Sequence, residues 1–321
     1  MAGRTLITGG AGFIGSHLAD HLLSRGETLV LLDDLSTGRL ENVEHLLGRT
    51  DVEFVLGSVL NADLVDDVVA RCDRIFHLAA AVGVELIIEQ PLESLRTNIR
   101  GAEIVLEKAH KYDTPTLVTS TSEIYGKNDS DRLRENDDRV LGSPRKTRWA
   151  YSEAKGIEEV LAYTYHRAKG LHTVVVRLFN TVGPRQSGAY GMVVPRFVQQ
   201  ALRGDDLTVY GDGAQSRCFC HVADVVRALP RLLEHPDAAG QAINLGSTDE
   251  LTVEQLASSV IAATGSSSRI RYVPYDDAYE EGFEDMPRRV PDITRARSLI
   301  DFEVEHDLAS VLASVIAEQR S

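Results

Sequence analysis

Thr5-Leu6-Ile7-Thr8-Gly9-Gly10-Ala11-Gly12-Phe13-Ile14-Gly15 is the stretch on which the reading of this chain turns. A β-rich run, Arg4–Thr8, enters a turn carrying Gly9, Gly12 and Gly15 and leaves as a helical pattern reaching Arg25. Each glycine has a physical use: Gly9 for a tight turn, Gly12 for close approach to a pyrophosphate, Gly15 for packing of helix on strand. The helix start, with Phe13 and Ile14, offers free N–H groups and a positive dipole end to phosphate. Spaced glycines alone are a weak signal. Here a strand precedes them, a helix follows, and Asp33 closes the next strand, Thr28–Asp33. Asp33 is placed to accept hydrogen bonds from adenosine ribose hydroxyls and to repel a 2′-phosphate, so NAD is expected over NADP. Asp34 beside it reads as solvated or as a local cap, and Arg39 leaves NADP open.

Working outward, Val52–Leu56, Arg74–His77, Thr116–Ser120 and Thr173–Leu178 are further near-continuous apolar runs, as expected of strands buried on both faces. Helical stretches lie between them around Asn61–Ala70, Pro91–Tyr112 and Trp149–Lys169. The alternation predicts an α/β protein with a Rossmann-type, doubly wound parallel sheet. After about residue 180 the pattern loosens into Gly-, Pro- and Arg-rich segments separating short helices near Val193–Arg203, Ala223–Glu234, Val253–Ala263 and Leu308–Gln319. The expected division is a dinucleotide-binding domain over 1–180, rejoined by about 221–247, with 181–321 forming mainly a smaller, entwined substrate-binding α/β part.

Bulk properties narrow the class. The 321 residues suffice for a substantial core, and no apolar run approaches a membrane helix. The strand pattern begins at once, leaving no room for a signal peptide, so a cytoplasmic protein without a membrane partner is expected. A net charge of −14 argues against nucleic acid. Cys72, Cys218 and Cys220 lack metal-ligand spacing, and no metal is expected.

More segments carry chemistry. His77-Leu78-Ala79-Ala80 ends a strand, Asn98 sits in a helix, and Thr121-Ser122-Glu123-Ile124-Tyr125-Gly126 ends another strand. Tyr151-Ser152-Glu153-Ala154-Lys155 is a Tyr-x-x-x-Lys pair. Arg177-Leu178-Phe179-Asn180-Thr181-Val182-Gly183-Pro184-Arg185 and Val209-Tyr210-Gly211-Asp212-Gly213-Ala214-Gln215-Ser216-Arg217 follow. In this order, and with this glycine spacing, the chain resembles the extended short-chain dehydrogenases/reductases of the NAD-dependent epimerase/dehydratase family along nearly its whole length.

That resemblance implies roles. Leu78, Ala79 and Ala80 would lie beside NAD, and Asn98 would steady the central helix. Asn180 and Arg217 resemble diphosphate contacts, Val209 and Tyr210 lie near the base, and Val194 and Thr208 join the substrate set. Arg185 would reach sugar or phosphate, or else form a surface ion pair. Tyr151 and Lys155, four apart on a helix, share one face. The lysine charge and an oxidised nicotinamide would lower the phenol's pKa, so that phenolate takes a proton from a sugar hydroxyl at carbon 4. Thr121 or Ser122 would hold the developing carbonyl. A homodimer through a four-helix bundle is expected from the same likeness.

Secondary residues point to the reaction. Dehydratases typically carry Asp-Glu after the active-site threonine, whereas this chain has Ser122-Glu123. Thr121-Ser122-Glu123 and Arg289-Val290-Pro291-Asp292-Ile293 are similar to UDP-glucuronate decarboxylases, which form UDP-xylose through a 4-keto uronate. Glu123 would order water and the sugar; Arg289, with Arg288 as a stand-in, would contact the acid or help deliver a proton. Ser152, where decarboxylases usually have Asp, and the Val82-Gly83-Val84 stretch look instead toward UDP-sugar 4-epimerases, and Glu85 stands where those usually have Arg. A catalytically silent NAD-binding regulator is the alternative of another class, against which the intact Ser122, Tyr151 and Lys155 speak.

Overall fold

The computed structural model describes residues 3–81, 91–146, 149–188, 192–274 and 286–320. Its centre is a seven-stranded, all-parallel sheet made of β1 (Arg4–Thr8), β2 (Thr28–Asp33), β3 (Val52–Leu56), β4 (Arg74–His77), β5 (Thr116–Thr121), β6 (Thr173–Leu178) and a late strand, Ala242–Leu245. The order is β3-β2-β1-β4-β5-β6 and then the late strand. The chain therefore reverses direction of growth at β1, and a crevice opens there at the carboxyl ends of the strands.

Strand alternation sorts the core into two layers. Ile7, Leu29, Leu31, Phe76, Leu117 and Val176 face one side, packed by α1 (Phe13–Ser24) and by a later helix, Val222–Glu234. Leu6, Val30, Leu32, Ile75, Val118 and Val175 face the other. That side is covered by α2 (Ala62–Val69), by the α3 (Pro91–Leu95) and α4 (Gly101–Tyr112) pair, and by α5 (Ala150–Lys169). Between α3 and α4 the backbone runs as a π-helical stretch, Arg96–Arg100, in which the Asn98 amide brackets Ala81, accepting from its N–H at 2.8 Å and donating to its carbonyl at 3.2 Å.

The second half adds β7 (Thr181–Val182), α6 (Val193–Arg203), β8 (Leu207–Tyr210), β9 (Ser216–Cys218), β10 (Cys220–His221) and α7 (Val222–Glu234). The late strand of the main sheet is β11; then come β12 (Glu250–Thr252), α8 (Val253–Thr264), β13 (Ile270–Val273), β14 (Arg288–Arg289), α9 (Thr294–Ile300) and α10 (Leu308–Arg320). A separate core of Val194, Phe197, Leu207, Leu256, Val260 and Leu312 binds α6, α8 and α10 together. The sequence pattern shows the helices of this region but not its strands. Strands two to four residues long carry no apolar run, and only their partners define them: β14 pairs in parallel with β9, and β12 antiparallel with β9. Cys218 and Cys220 fall on two different short strands, β9 and β10, both buried, and all three cysteines are free.

Candidate active site

A cavity of about 490 Å³ lies over the carboxyl ends of the central strands, between the main sheet and the smaller part. Its dinucleotide half is shaped by the glycines. Gly9 adopts φ +70°, and a Cβ there would meet the Ala79 nitrogen at 2.8 Å. A Cβ on Gly15 would run into the Gly9 carbonyl, whereas one on Gly12 would meet little but that carbonyl. Gly12 therefore leaves the cavity side open at the start of α1, whose first turn has no side-chain cap. This cradle of bare backbone and free N–H groups fits a pyrophosphate. Gly15→Ala is expected to cost about 1–3 kcal/mol, as overpacking does, read as a lower urea midpoint at unchanged slope.

Asp33 is buried and accepts from the Ala11 N–H at 2.9 Å and the Leu35 N–H at 2.8 Å. Burial pushes its carboxyl above the usual range, partly offset by those two donors. It lines the cavity with Phe13, Ile14, Leu78, Ala79 and Ala80. Arg39 and Asn42 also line it, tied to the Ala11 carbonyl through the Arg39 N–H at 3.1 Å and the Asn42 amide at 2.8 Å. Asn42 carries no signal in the sequence; a turn in space brings it there.

At the centre stand Thr121, Ser122, Glu123, Tyr151 and Lys155, all lining the cavity. The Thr121 hydroxyl accepts from the Glu123 N–H at 3.2 Å and so caps the turn that displays Ser122 and Glu123. Ser152, the departure from the decarboxylase pattern, donates its hydroxyl to the Glu123 carbonyl at 2.8 Å, pinning that turn to α5. Lys155 donates to the Thr119 carbonyl at 3.0 Å and to Glu158 at 2.8 Å. Burial pushes the Glu158 carboxyl up to about 7, against the pull of Lys155. The Tyr151 phenol is held well above its ordinary value, first by burial and then by the carboxylates of Glu123 and Glu158. In the chain alone, the lysine charge that the sequence reading assigned to the phenol is shared with a neighbouring carboxyl.

Behind this group His77 is completely enclosed, with Nδ1 2.8 Å from the Thr8 hydroxyl. Burial, and then the Lys155 charge, lower its pKa to about 3. An unfolded chain would bind a proton here near pH 6.5, so stability rises with pH between about 3 and 6.5 and is lost on acidification through that window. His77→Asn is expected to flatten the urea-midpoint profile between pH 7 and 4.

The smaller part supplies the other wall. Pairing of β14 with β9 sets Arg289 opposite Arg217, both lining the cavity. Arg289 Nη1 lies 3.3 Å from the Ser122 hydroxyl and 3.7 Å from the Glu123 carboxylate. Two guanidinium groups side by side repel, and an anion between them relieves the repulsion. Arg288 alternates outward to pair with Glu250 and Asp131, so it does not share the place of Arg289. Asn180, Val194 and Tyr210 line the cavity, as does Arg185, whose guanidinium also makes the ion pair weighed against a substrate role, with Asp20 at 2.8 Å. Thr208 is not among the lining residues; its backbone and hydroxyl bind the Gln200 side chain at 3.2 and 3.0 Å. Arg196, unmarked in the sequence, stacks 4.3 Å from the Tyr210 ring centre and lines the same wall. The Val82–Glu85 stretch lies outside the described residues.

A Gly-rich crevice at the switch point, a buried acid closing the second strand and a Tyr-Lys pair define a dinucleotide-binding fold with an acid-base pair in the same cavity. The NAD dependent epimerase/dehydratase family model matches residues 5–246, and the chain belongs to that family. It is 41% identical over 303 residues to a UDP-N-acetyl-alpha-D-glucosaminuronate decarboxylase of Bacillus cytotoxicus, covering 94% of this chain and 93% of the relative. It is 36% identical to UDP-glucuronic acid decarboxylase 1 of Danio rerio, covering 94% of this chain and 68% of the relative. The solved UDP-glucose 4-epimerase of Thermotoga maritima superposes with a TM-score of 0.89 at 30% identity, covering 99% of this chain and 98% of that one. Among the described residues no helix is long and apolar enough to cross a membrane.

Proposed function

We propose that this chain is an NAD-dependent UDP-glucuronate decarboxylase, which oxidises carbon 4, releases carbon dioxide and re-reduces the ketone to give UDP-xylose. Partial escape of the 4-keto pentose is a branch of the same path. The observation that carries the reading is the guanidinium of Arg289 beside Ser122 and Glu123 in the cavity of Tyr151. A cation next to the base that takes the proton of the carbon 4 hydroxyl is what a carboxylate on carbon 5 requires. The Bacillus cytotoxicus and Danio rerio relatives bear names of two uronates that share this carboxylate and differ in the N-acetyl group.

NAD, when bound along the Gly9–Gly15 cradle with its ribose on Asp33, supplies a hydride acceptor that later returns the hydride. Tyr151 takes the proton from the carbon 4 hydroxyl, and Ser122 and Thr121 hold the oxygen as it becomes a carbonyl. The uronate is then a β-keto acid. Its bond from carbon 5 to the carboxyl breaks, carbon dioxide leaves, and the electron pair moves into an enolate whose oxygen the same hydroxyls hold. Arg289 orients the departing carboxylate, and a water ordered by Glu123 and Arg289 gives carbon 5 its proton. Asn180 and Arg217 hold the diphosphate, with Tyr210 and Val194 at the base and Arg185 at the cavity edge.

The test mixes purified protein with NAD and either UDP-glucuronate or its 2-acetamido analogue and reads products by mass spectrometry. Loss of the mass of carbon dioxide supports the reading, and the faster substrate fixes the group at carbon 2. Unchanged mass with a new chromatographic peak means 4-epimerisation, the second reading, favoured by the fold of the Thermotoga maritima epimerase. Bound NAD with no conversion of any UDP-sugar means a silent regulator.

Assembly belongs to the same proposal. Leu92, Ile157 and Val160 leave 75%, 42% and 59% of their surfaces exposed on α3 and α5, an apolar face suited to a homodimeric four-helix bundle. Sedimentation of Val160→Glu as a monomer, against a wild-type dimer, checks it. Three free, buried cysteines are compatible with the cytoplasm we assign to it.

A further inference from the structure

Lys155 is not the last charged group of its network. One turn further along α5 stands Glu158, and the two side chains are only 2% and 1% exposed. Glu158 Oε2 receives the lysine at 2.8 Å, while Oε1 has no hydrogen-bond partner among the described residues. An ionised carboxylate so enclosed, with one oxygen unsatisfied, is expensive, and the cost falls when it takes up a proton. Its neighbour Glu159, paired with Arg177 of β6 at 2.7 Å, is a like charge and adds to that cost. From β4 the enclosed His77 faces the same lysine, and its Nε2 is also without a partner among the described residues. From β5 only the Thr119 carbonyl reaches Lys155. The charged side chains of Arg96 and Arg100 are paired on the surface with Glu93 and Glu103.

From this geometry we infer that Glu158 is a positioning residue that acts through Lys155, anchoring its ammonium and setting, by its own protonation, how much of the lysine's charge reaches Tyr151. The inference rests on the roles proposed above for Tyr151 and Lys155. With Glu158 ionised, its charge opposes that of the ammonium at Tyr151, and the phenol keeps its proton. With Glu158 protonated, the ammonium acts on the phenol uncompensated and phenolate becomes accessible. Burial, which pushes the Glu158 carboxyl up, makes the protonated form available.

The experiment uses full-length, NAD-loaded protein. Glu158→Gln keeps the volume and the acceptor for Lys155 but removes the charge. Its acid limb in the pH profile of kcat/KM for UDP-glucuronate is expected to move about one unit toward acid. Glu158→Ala, which drops the anchor, is expected to lower kcat, with the Gln variant restoring it. Infrared titration without substrate is the second readout. Wild type should lose one protonated-carboxyl band as pH rises through neutrality, and the Gln variant should lack it. An acid limb that stays in place overturns the inference, as does the absence of such a band in wild type, a result that stands even if the variants fail to fold. A wild type that converts no UDP-uronate sinks the proposed function, while the infrared titration still decides whether Glu158 holds the proton.

Discussion

Tyr151→Phe is expected to lower the rate of carbon 4 oxidation by about 10²–10⁴-fold, the usual worth of a positioned acid-base group. NAD affinity and the unfolding midpoint should stay near wild type. The ring is packed to 8% exposure, and phenylalanine fills the same space, so only the proton acceptor is lost. The sign with pH follows from the surroundings. Burial and the Glu123 and Glu158 carboxylates hold the phenol above its ordinary value, so oxidation in wild type should quicken as pH rises, with a shallower slope through neutrality, where Glu158 gives up its proton. Single-turnover nicotinamide absorbance measures the rate, and calorimetric titration measures NAD binding. A variant that oxidises substrate as fast as wild type would remove Tyr151 from the reaction and point to another base.

Arg289→Ala should separate the two halves of the chemistry. Truncating one member of a largely buried charge constellation costs about 2–5 kcal/mol, roughly 30- to several-thousand-fold in rate. The loss should fall on carbon dioxide release from UDP-glucuronate. Reduction of NAD by a neutral UDP-hexose should fall far less, because Tyr151, Lys155 and Ser122 remain in place. Arg288→Ala is the control. Its side chain faces Glu250 and Asp131 on the outer side of β14, so decarboxylation should change less than twofold, the modest effect of an exposed ion pair. Equal losses in both variants, or an intact release of carbon dioxide without Arg289, would contradict the role proposed for it. Isotopically labelled carboxyl carbon gives the direct count.

The sequence by itself determined six of the seven strands of the main sheet, their alternation with helices and the Gly-rich turn at the head of the crevice. The reason is that these are local signals. A strand buried on both faces must be a continuous apolar run, as Thr28–Asp33 and Thr173–Leu178 are, and a helix must keep one period, as Ala150–Lys169 does. Gly12 and Gly15 are likewise limited by the backbone of Gly9 and Gly10 a few residues before them, whereas the space at Gly9 is closed by Ala79 from the neighbouring strand end. Tyr151 and Lys155 were legible because four residues along a helix is one face.

Only the tertiary structure decided how the walls of the cavity meet. β9 and β14 lie far apart in the chain and too short to show a period, yet their register sets Arg289 against Arg217 and turns Arg288 away. Thr208 stands next to the segment that begins at Val209 and shares the β8 face of Tyr210, but the Gln200 side chain takes up its backbone and hydroxyl, and it does not line the cavity. Arg196 enters it because a helix face happens to stack on Tyr210. Glu158 was silent for a related reason. A glutamate one turn after a lysine is commonplace on a helix surface, and it acquires chemical weight only when packing against β5 removes both from water. Local backbone constraint is written in neighbouring residues, whereas charge environment depends on what the rest of the fold brings within reach.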